Sequence, residues 1–249
     1  MKVAVITPYY DTPEKWLQEC HLSVKAQTFP CTHFIVADGK PIDVVDSWDA
    51  QHIKLPVNHA DYGDTPRGVG SVVAIAQRFD AIAYLDADNW YSQDHIASMV
   101  KLQQKTGAGL VSSTRNLYRL DGTLLGKCPE VDGEIFVDTN CYFIARSAFQ
   151  IVPLWWMMEL LYGGKEGIGL GKEIHSIDDR VIWAEVKRLK LRRAHSGRAT
   201  VAYRTAFRNH YLYFGEEPPA GAKSGKDIFK TMAGAIKEYQ RVRQRKKTK

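Results

Sequence analysis

The chain has 249 residues, of which 45% are hydrophobic and 25% charged, the composition of a globular protein with a sizeable core rather than of a disordered or fibrous one. Its formal net charge is +6, and much of the excess sits in a C-terminal run of Arg241, Arg243, Arg245, Lys246, Lys247 and Lys249 with no acid among them. The four cysteines, Cys20, Cys31, Cys128 and Cys141, form no Cys-X-X-Cys pair, which argues against a zinc ribbon or a redox dithiol and fits reduced structural thiols.

Residues 2–7 (KVAVIT) are β-branched and apolar and predict a first buried strand, leaving no room for a signal peptide. The stretch 8–13 stops it and opens a helix, with Thr12 as N-cap and Pro13 at the first helical position. Trp16, Leu17, Cys20 and Val24 share one face of that helix, and Phe29-Pro30 ends it. Residues 33–37 predict a second strand closed by Asp38-Gly39, so the chain opens as a βαβ unit. Residues 43–50 read as a surface excursion or a short helix, and 51–55 as an edge strand. A polar loop over 58–68 precedes a helix over 69–79. Residues 81–85 form a continuous apolar run, the signature of a buried parallel strand, and end abruptly in Asp86-Ala87-Asp88-Asn89.

A helix starting at Ser92 or Gln93 carries Ile96, Met99, Val100 and Gln103 near one face and ends at Gly107 and Gly109. The pattern then changes. Residues 110–111 predict a short strand, 117–125 a hairpin with an Asp-Gly turn, and 135–137 and 141–144 two further strands. Residues 151–161 predict a buried helix around Trp155 and Trp156, too short to span a bilayer. Five glycines within 163–171 predict a mobile loop. A helix over 177–189 offers Val181, Ile182, Ala184 and Val186 to the core, and 199–203 is the last strand. From about residue 215 the chain is expected to leave the body, with an amphipathic helix over 227–239. The domain reading is one unit over 1–215, divided near Asp88 into a nucleotide-binding half (1–89) and an acceptor-binding half (90–215), followed by a basic extension over 216–249, partly helical or disordered.

The carboxyl ends of parallel strands are where open α/β sheets bind ligands. Asp86 and Asp88 fall at such an end, and two residues apart on an ideal strand they point to one side. Paired carboxylates of this kind suit Mg²⁺ or Mn²⁺ held together with substrate phosphates; the alternative is a polar strand end capping the next helix. Thr7, Pro8 and Tyr9 follow the first strand and Asp38 the second, so they line the same crevice. A Tyr ring stacks on a base and an Asp accepts a uracil or thymine imide N–H, unless these are ordinary turn residues. Arg67, just before a helix start, suits a phosphate or a surface salt bridge. Asp178 and Asp179 open a helix, where acids are commonplace and where a general base is held rigidly. Thr139 and Asn140 lie in a turn and suit acceptor hydroxyls or plain turn chemistry. His210 and His195 are candidate third metal ligands, against the usual structural role of a single histidine. Ser–His–Asp elbow, P-loop and Gly-X-Gly-X-X-Gly motifs are all lacking.

Taken in order, these motifs resemble the family 2 glycosyltransferases of the GT-A fold over roughly residues 2–204. Val5-Ile6-Thr7-Pro8-Tyr9-Tyr10 resembles the opening strand and nucleotide loop, and Val36-Ala37-Asp38-Gly39 the turn whose Asp contacts the base. Arg67-Gly68-Val69-Gly70 resembles the Arg-Asn-X-Gly helix start, Tyr84-Leu85-Asp86-Ala87-Asp88 the Asp-X-Asp strand end, and residues 138–146 the acceptor-side segment. Asp178-Asp179-Arg180 resembles the Glu-Asp helix that carries the base. Gly68 replaces the usual Asn, Asp178 the usual Glu, and Arg204 stands near where many members carry a His.

The resemblance implies an α/β GT-A fold: a mostly parallel central sheet flanked by helices, joined to a mixed acceptor half. It implies an inverting transfer of a sugar from a nucleotide-diphosphate donor, UDP-sugar favoured, to a hydroxyl acceptor that is a glycan, lipid-linked or other. Nucleotide-sugar contacts fall to Thr7, Pro8, Tyr9, Asp38, Arg67, Asp86, Ala87 and Asp88. Mn²⁺ or Mg²⁺ falls to Asp88 with Asp86, the acceptor to Thr139 and Asn140, and the base to Asp178 or Asp179, by position Asp179. A non-catalytic nucleotide-sugar or glycan-binding domain of the same fold is the alternative. The protein is expected to be cytoplasmic with no specific nucleic-acid partner, its basic run either a solvated tail or a peripheral contact with anionic membrane.

Overall fold

The computed structural model describes residues 1–158 and 178–223. The chain opens with β1 (Val3–Tyr9), α1 (Glu14–Lys25), β2 (Cys31–Asp38), a 3₁₀ turn (Asp43–Ser47) and β3 (Gln51–Leu55). β1 and β2 run parallel from Val3↔Cys31 to Tyr9↔Ala37, and β3 joins β2 as an edge strand. α1 begins after Pro13, not after Thr12, because the Thr12 hydroxyl turns back to the Tyr10 carbonyl (3.4 Å) and caps nothing. α2 (Asp64–Ala76) begins five residues ahead of the expected start at 69. Pro66 sits in its first turn, where a missing N–H leaves no helical bond unmade.

β4 (Ala81–Tyr84) pairs parallel with β1 on the side away from β2. Both faces of these central strands are buried, which is why their sequences are continuously apolar. Alternate side chains then sort the helices. Tyr9, Ile35 and Ala37 form a cluster with Leu17 of α1, Val45 and Ala87. Ile6 and Val36 face α2, where a Cβ on Gly70 would lie 2.7 Å from Ile6 Cγ2 and 3.0 Å from Val36 Cγ2.

The second half comprises β5 (Trp90–Tyr91), α3 (His95–Thr106), β6 (Leu110–Tyr118), β7 (Leu124–Lys127), β8 (Tyr142–Ala145), α4 (Leu154–Met158), α5 (Asp178–Arg188), β9 (Arg193–Arg204) and α6 (Arg208–Tyr213). The sheet order is β3-β2-β1-β4-β8-β6-β9-β5, with β7 on β6. β8 runs antiparallel to β4 and β6, while β9 runs parallel to β6. This is the expected two-part α/β architecture, parallel from β3 to β4 and mixed beyond.

Four elements differ from expectation. The short strand at 110–111 and the first arm of the hairpin are one nine-residue strand, β6. Its polar centre is buried because β8 and β9 flank it and the Arg115 guanidinium is paired with Asp138. The Asp121-Gly122 turn forms as expected, Gly122 at φ +87°. Residues 135–137 are not a strand: Asp132 Oδ1 accepts the N–H groups of Glu134, Ile135 and Phe136, so a side chain takes the bonds a neighbouring strand would need. β9 begins six residues before 199, and α6 was not expected. Nor does the chain leave the body at 215; it stays hydrogen-bonded through Lys223. The remainder of the helix expected at 151–161, the loop at 163–171, the helix at 227–239 and the basic run lie outside the described residues. No helix among the described residues is long and apolar enough to cross a membrane.

Candidate active site

The Asp86–Asp88 stretch is a turn, not a strand end: β4 stops at Tyr84, and the Asn89 N–H donates to the Asp86 carbonyl (3.0 Å). The two carboxylates therefore do not share one side of a strand. Asp86 Oδ1 accepts from Arg67 Nη2 (2.7 Å) and Oδ2 from Asn140 Nδ2 (2.8 Å). Its backbone N–H donates to Asn140 Oδ1 (2.6 Å). The β4–β8 register, Ala81↔Ala145 to Ala83↔Phe143, continues to this pair, so antiparallel pairing brings Asn140 opposite Asp86. Each Asp86 oxygen thus accepts one bond from a protein donor, so Arg67 and Asn140 fix the side chain in place. Asn140 and Thr139, expected at the acceptor, are 1% and 5% exposed, and the Asn140 amide donates to both Asp86 and Asp138.

Asp88 is different. It is half-buried, and among the described residues only its own backbone N–H bonds its carboxylate. Burial, reinforced by the Asp86 charge, pushes its pKa up to about 7, and Arg204 and Lys223 pull it partly back. A carboxylate whose one bonded donor among the described residues is its own backbone N–H fits a hard divalent cation. No group of three His, Cys, Asp or Glu among the described residues is arranged to hold a metal.

Arg67 links the turn after β4 to the start of α5. It lies within the first turn of α2, 5% exposed, with Nη1 donating to the Tyr62 carbonyl (3.1 Å) and Asp64 Oδ1 (3.3 Å) and lying 3.6 Å from Asp178 Oδ2. Trp155 packs under its guanidinium at 5.3 Å and donates to the Tyr84 hydroxyl. Burial works against the charge, and the three carboxylates outweigh it, so Arg67 titrates above its ordinary value. Gly68, which replaces the family's usual Asn, lies under Trp156: a Cβ there would sit 2.3 Å from the indole Cε3.

Asp178 and Asp179 have separate fates. Asp178 is buried, hydrogen-bonds the carboxyl of Asp64 and accepts the Asp179 N–H at 2.5 Å. One of the Asp64–Asp178 pair must hold a proton to donate that bond. Burial pushes Asp64 up to about 7 and, with the Asp64 charge, holds Asp178 well above the usual carboxylate range. Asp179 is half-buried and raised by burial and then by Asp178 and Asp138, yet no other described residue hydrogen-bonds its carboxylate. Of the two, Asp179 has the free, basic oxygen. Asp64 escaped the sequence reading because it sits in a polar loop; its spacing to Arg67, three residues on one helix, was the available signal.

On the nucleotide side, Thr7 points into the body, its hydroxyl 2.8 Å from His33 Nε2. Tyr9, expected as a stacking ring, is 3% exposed, with its hydroxyl bonded to His52 Nε2 (2.8 Å) and the Ile42 N–H (2.9 Å). Both side chains are core because β1 is covered on both faces. Pro8 and Ala87 are buried, Pro8 lying against Gly63. The exposed rings near these segments are instead Tyr10 (51%) and Tyr62 (72%), which the motif pattern does not single out. Asp38 accepts from His59 N (3.1 Å) and faces His59 Nδ1 (2.6 Å), leaving each oxygen a further lone pair.

Neither histidine joins Asp88. His195 pairs with Ser112 at the far end of β9, nine residues or about 30 Å of strand from Arg204. His210 Nδ1 is 2.6 Å from Thr205 Oγ1, and its Nε2 faces Glu130. Arg204 instead secures the acidic turn. Its N–H donates to Asn89 Oδ1 (2.8 Å), Nη1 to the Asp88 carbonyl (2.7 Å) and Nη2 to Glu19, with the guanidinium between Trp16 and Trp90.

The family model for glycosyl transferase family 2 matches residues 4–151. No curated protein matches the chain by sequence. Among solved structures, S. aureus TarS is similar at 15% identity and a TM-score of 0.61, over 85% of this chain and 38% of that one. TarS 1–349 in complex with UDP is similar at 14% identity and 0.58, over 86% and 63%. The complex of TarS 1–349 with UDP-GlcNAc is similar at 13% identity and 0.55, over 93% and 64%. The chain thus spans under two thirds of each of these structures, and at such identities the likeness is one of fold.

Proposed function

The chain belongs to glycosyl transferase family 2, and on that premise we propose that it transfers a sugar from a nucleotide-diphosphate donor, UDP-sugar foremost, to a hydroxyl acceptor with inversion at the anomeric carbon. The observation that carries this reading is the Arg67 bridge. It ties the turn after β4 to the start of α5 through Asp86 and Asp178, with Asp88 two residues beyond the first and Asp179 next to the second, neither carboxylate bonded by another described residue. The UDP and UDP-GlcNAc complexes of the similar TarS structures support a uridine donor.

In this reading Asp38 takes the base and the Asp86–Asp88 turn takes the ribose and diphosphate. Asp88 holds Mn²⁺ or Mg²⁺, which when bound supplies Lewis-acid neutralisation of the departing diphosphate. Asp179 accepts the acceptor's hydroxyl proton as that oxygen bonds to the anomeric carbon. The C–O bond to the diphosphate breaks, and its electron pair leaves on the phosphate oxygen. Asp178 positions Asp179 through the Asp179 N–H and is itself held by Asp64 and Arg67.

The test is a calorimetric and thermal-shift screen of nucleoside diphosphates with and without Mn²⁺, on the wild type and Asp88→Ala. A UDP response that grows with Mn²⁺ in the wild type and loses that growth in the variant is expected. Donor turnover is then followed by NMR of the product anomer. A chain that binds UDP-sugars and turns over none is a binding domain; one that binds no nucleoside diphosphate ends the reading.

A further inference from the structure

The loop over 57–63 lies across the end of β2. Gly39, the residue after that strand, has φ +81°, and a Cβ there would sit 2.4 Å from the Asn58 nitrogen and 2.5 Å from the Val57 carbonyl carbon, so backbone rests on backbone. His59 follows and meets Asp38 twice: its N–H donates to Oδ2 (3.1 Å), and its imidazole Nδ1 lies 2.6 Å from Oδ1. A carboxylate only accepts, so Nδ1 carries the proton and donates. The far end of the loop is pinned as well. Asp61 accepts the N–H groups of Gly63 (3.2 Å) and Thr65 (2.8 Å), and the Tyr62 carbonyl accepts from Arg67 Nη1 (3.1 Å). Arg67 in turn holds Asp86, so His59 sits on a segment fastened to the acidic turn.

Both Asp38 oxygens thus take a bond from one residue, and a two-pronged contact of this kind fixes the plane of a carboxylate as well as its position. A turn that needed only closing would be served by the backbone N–H, which any residue except proline supplies. The imidazole adds the second bond, and it lies over a carboxylate that is 6% exposed while its own side chain is 32% exposed. With an N–H already on each oxygen, what Asp38 still offers is acceptor lone pairs in a set direction. Those lone pairs fit a ligand N–H, as in the imide of uracil, and repel the ring-nitrogen lone pair at the same position of cytosine. A carboxylate left to turn loses that discrimination.

We propose that His59 is a positioning residue for base selection: it holds the Asp38 carboxylate in the orientation that favours uracil over cytosine. The inference rests on the reading of Asp38 as the base contact and adds to it a residue that lies outside the motifs resembling those of the family. His59 acts through Asp38 and is assigned no contact with the donor. Its effect is therefore blind to the phosphates and falls alike on UDP and UMP. Removing one charge-assisted donor from Asp38 costs about tenfold in uridine-nucleotide affinity and far less for CDP.

The experiment is titration calorimetry of UDP, UMP and CDP into the full chain with Mn²⁺, for the wild type, Asp38→Ala, His59→Ala and His59→Asn. The asparagine amide nitrogen takes the place of the imidazole Nδ1 and restores the bond. His59→Ala is expected to weaken UDP and UMP about tenfold each and CDP by about twofold or less, with His59→Asn within about threefold of the wild type. A UDP-over-CDP preference that Asp38→Ala abolishes and His59→Ala keeps overturns the inference and leaves the reading of Asp38 intact. Parallel loss of UDP and CDP in His59→Ala overturns it as well, since the loop would then be merely structural. So does a His59→Asn variant as weak as His59→Ala, since the imidazole would then act by another route. If the wild type does not prefer UDP to CDP, or Asp38→Ala keeps that preference, the reading of Asp38 fails first and the inference with it.

Discussion

Replacing Asn140 with Ala separates a brace from an acceptor contact. The side chain accepts the Asp86 N–H at 2.6 Å and donates to the Asp86 and Asp138 carboxylates at 2.8 and 2.9 Å, with a longer bond from Asn89 at 3.3 Å. Bonds to charged groups contribute about 1.5–3 kcal/mol and neutral ones about 1 kcal/mol. Asp86 would keep Arg67, and Asp138 would keep Arg115, so the charged terms fall at the low end of that range. Because Asn140 is 1% exposed, water does not readily replace what is lost. The expected cost is about 3–4 kcal/mol, or roughly 6–16 °C in melting temperature for a chain of this size. Urea denaturation followed by tryptophan fluorescence reads it as a lower midpoint at unchanged slope. Asn140→Asp, which keeps the shape but sets a third carboxylate beside the other two, should cost at least as much at neutral pH. A loss below about 1 kcal/mol, with only the acceptor KM raised, would refute the brace and restore Asn140 to the acceptor side.

Asp179→Asn should leave donor affinity within about twofold while lowering transfer by about a thousandfold, read by calorimetry and product release; retained turnover removes Asp179 from the mechanism. Gly70→Ala should destabilise by about 1–3 kcal/mol despite the better helix former, because the added methyl meets Ile6 and Val36, both fully buried. Equal or higher stability would show that α2 can lift off the sheet. His95 is buried with Nδ1 bonded to Thr200, and burial lowers its pKa to about 3. Between pH 6.5 and that value the unfolded chain binds a proton at this residue and the folded chain does not. Its contribution to stability is therefore complete above pH 6.5 and falls by about 1.4 kcal/mol per unit below it. The difference between wild-type and His95→Asn unfolding free energies across pH 5–8 isolates this slope from the raised carboxylates; a flat difference refutes it.

Much of the first half was legible because each of its elements is set by local chemistry. β1, β2 and β4 are buried on both faces, so burial alone makes them continuous apolar runs. The Asp-Gly hairpin turn and the acids opening α5 also follow from neighbours in the chain. β6 reads in sequence as two pieces because Ser112, Ser113, Thr114 and Arg115 are polar, whereas strands and an ion partner distant in sequence bury them. The carboxyl-edge location of Asp38, Asp86 and Asp88 was likewise read from sequence, since strand ends show in the pattern.

What each of these groups does with its side chain was decided elsewhere. Asp86 and Asp88 are alike in sequence, and so are Asp178 and Asp179, yet one carboxylate of each pair is held by distant partners and the other is not. Those partners are Arg67, Asn140 and Asp64, between 19 and 114 residues away along the chain. Composition and periodicity thus determined the α/β class, the opening βαβ unit and the edge of the sheet on which the acids stand. Only the tertiary structure decided which carboxylates stay available, because a hydrogen-bond partner is a neighbour in space and the chain order does not name it.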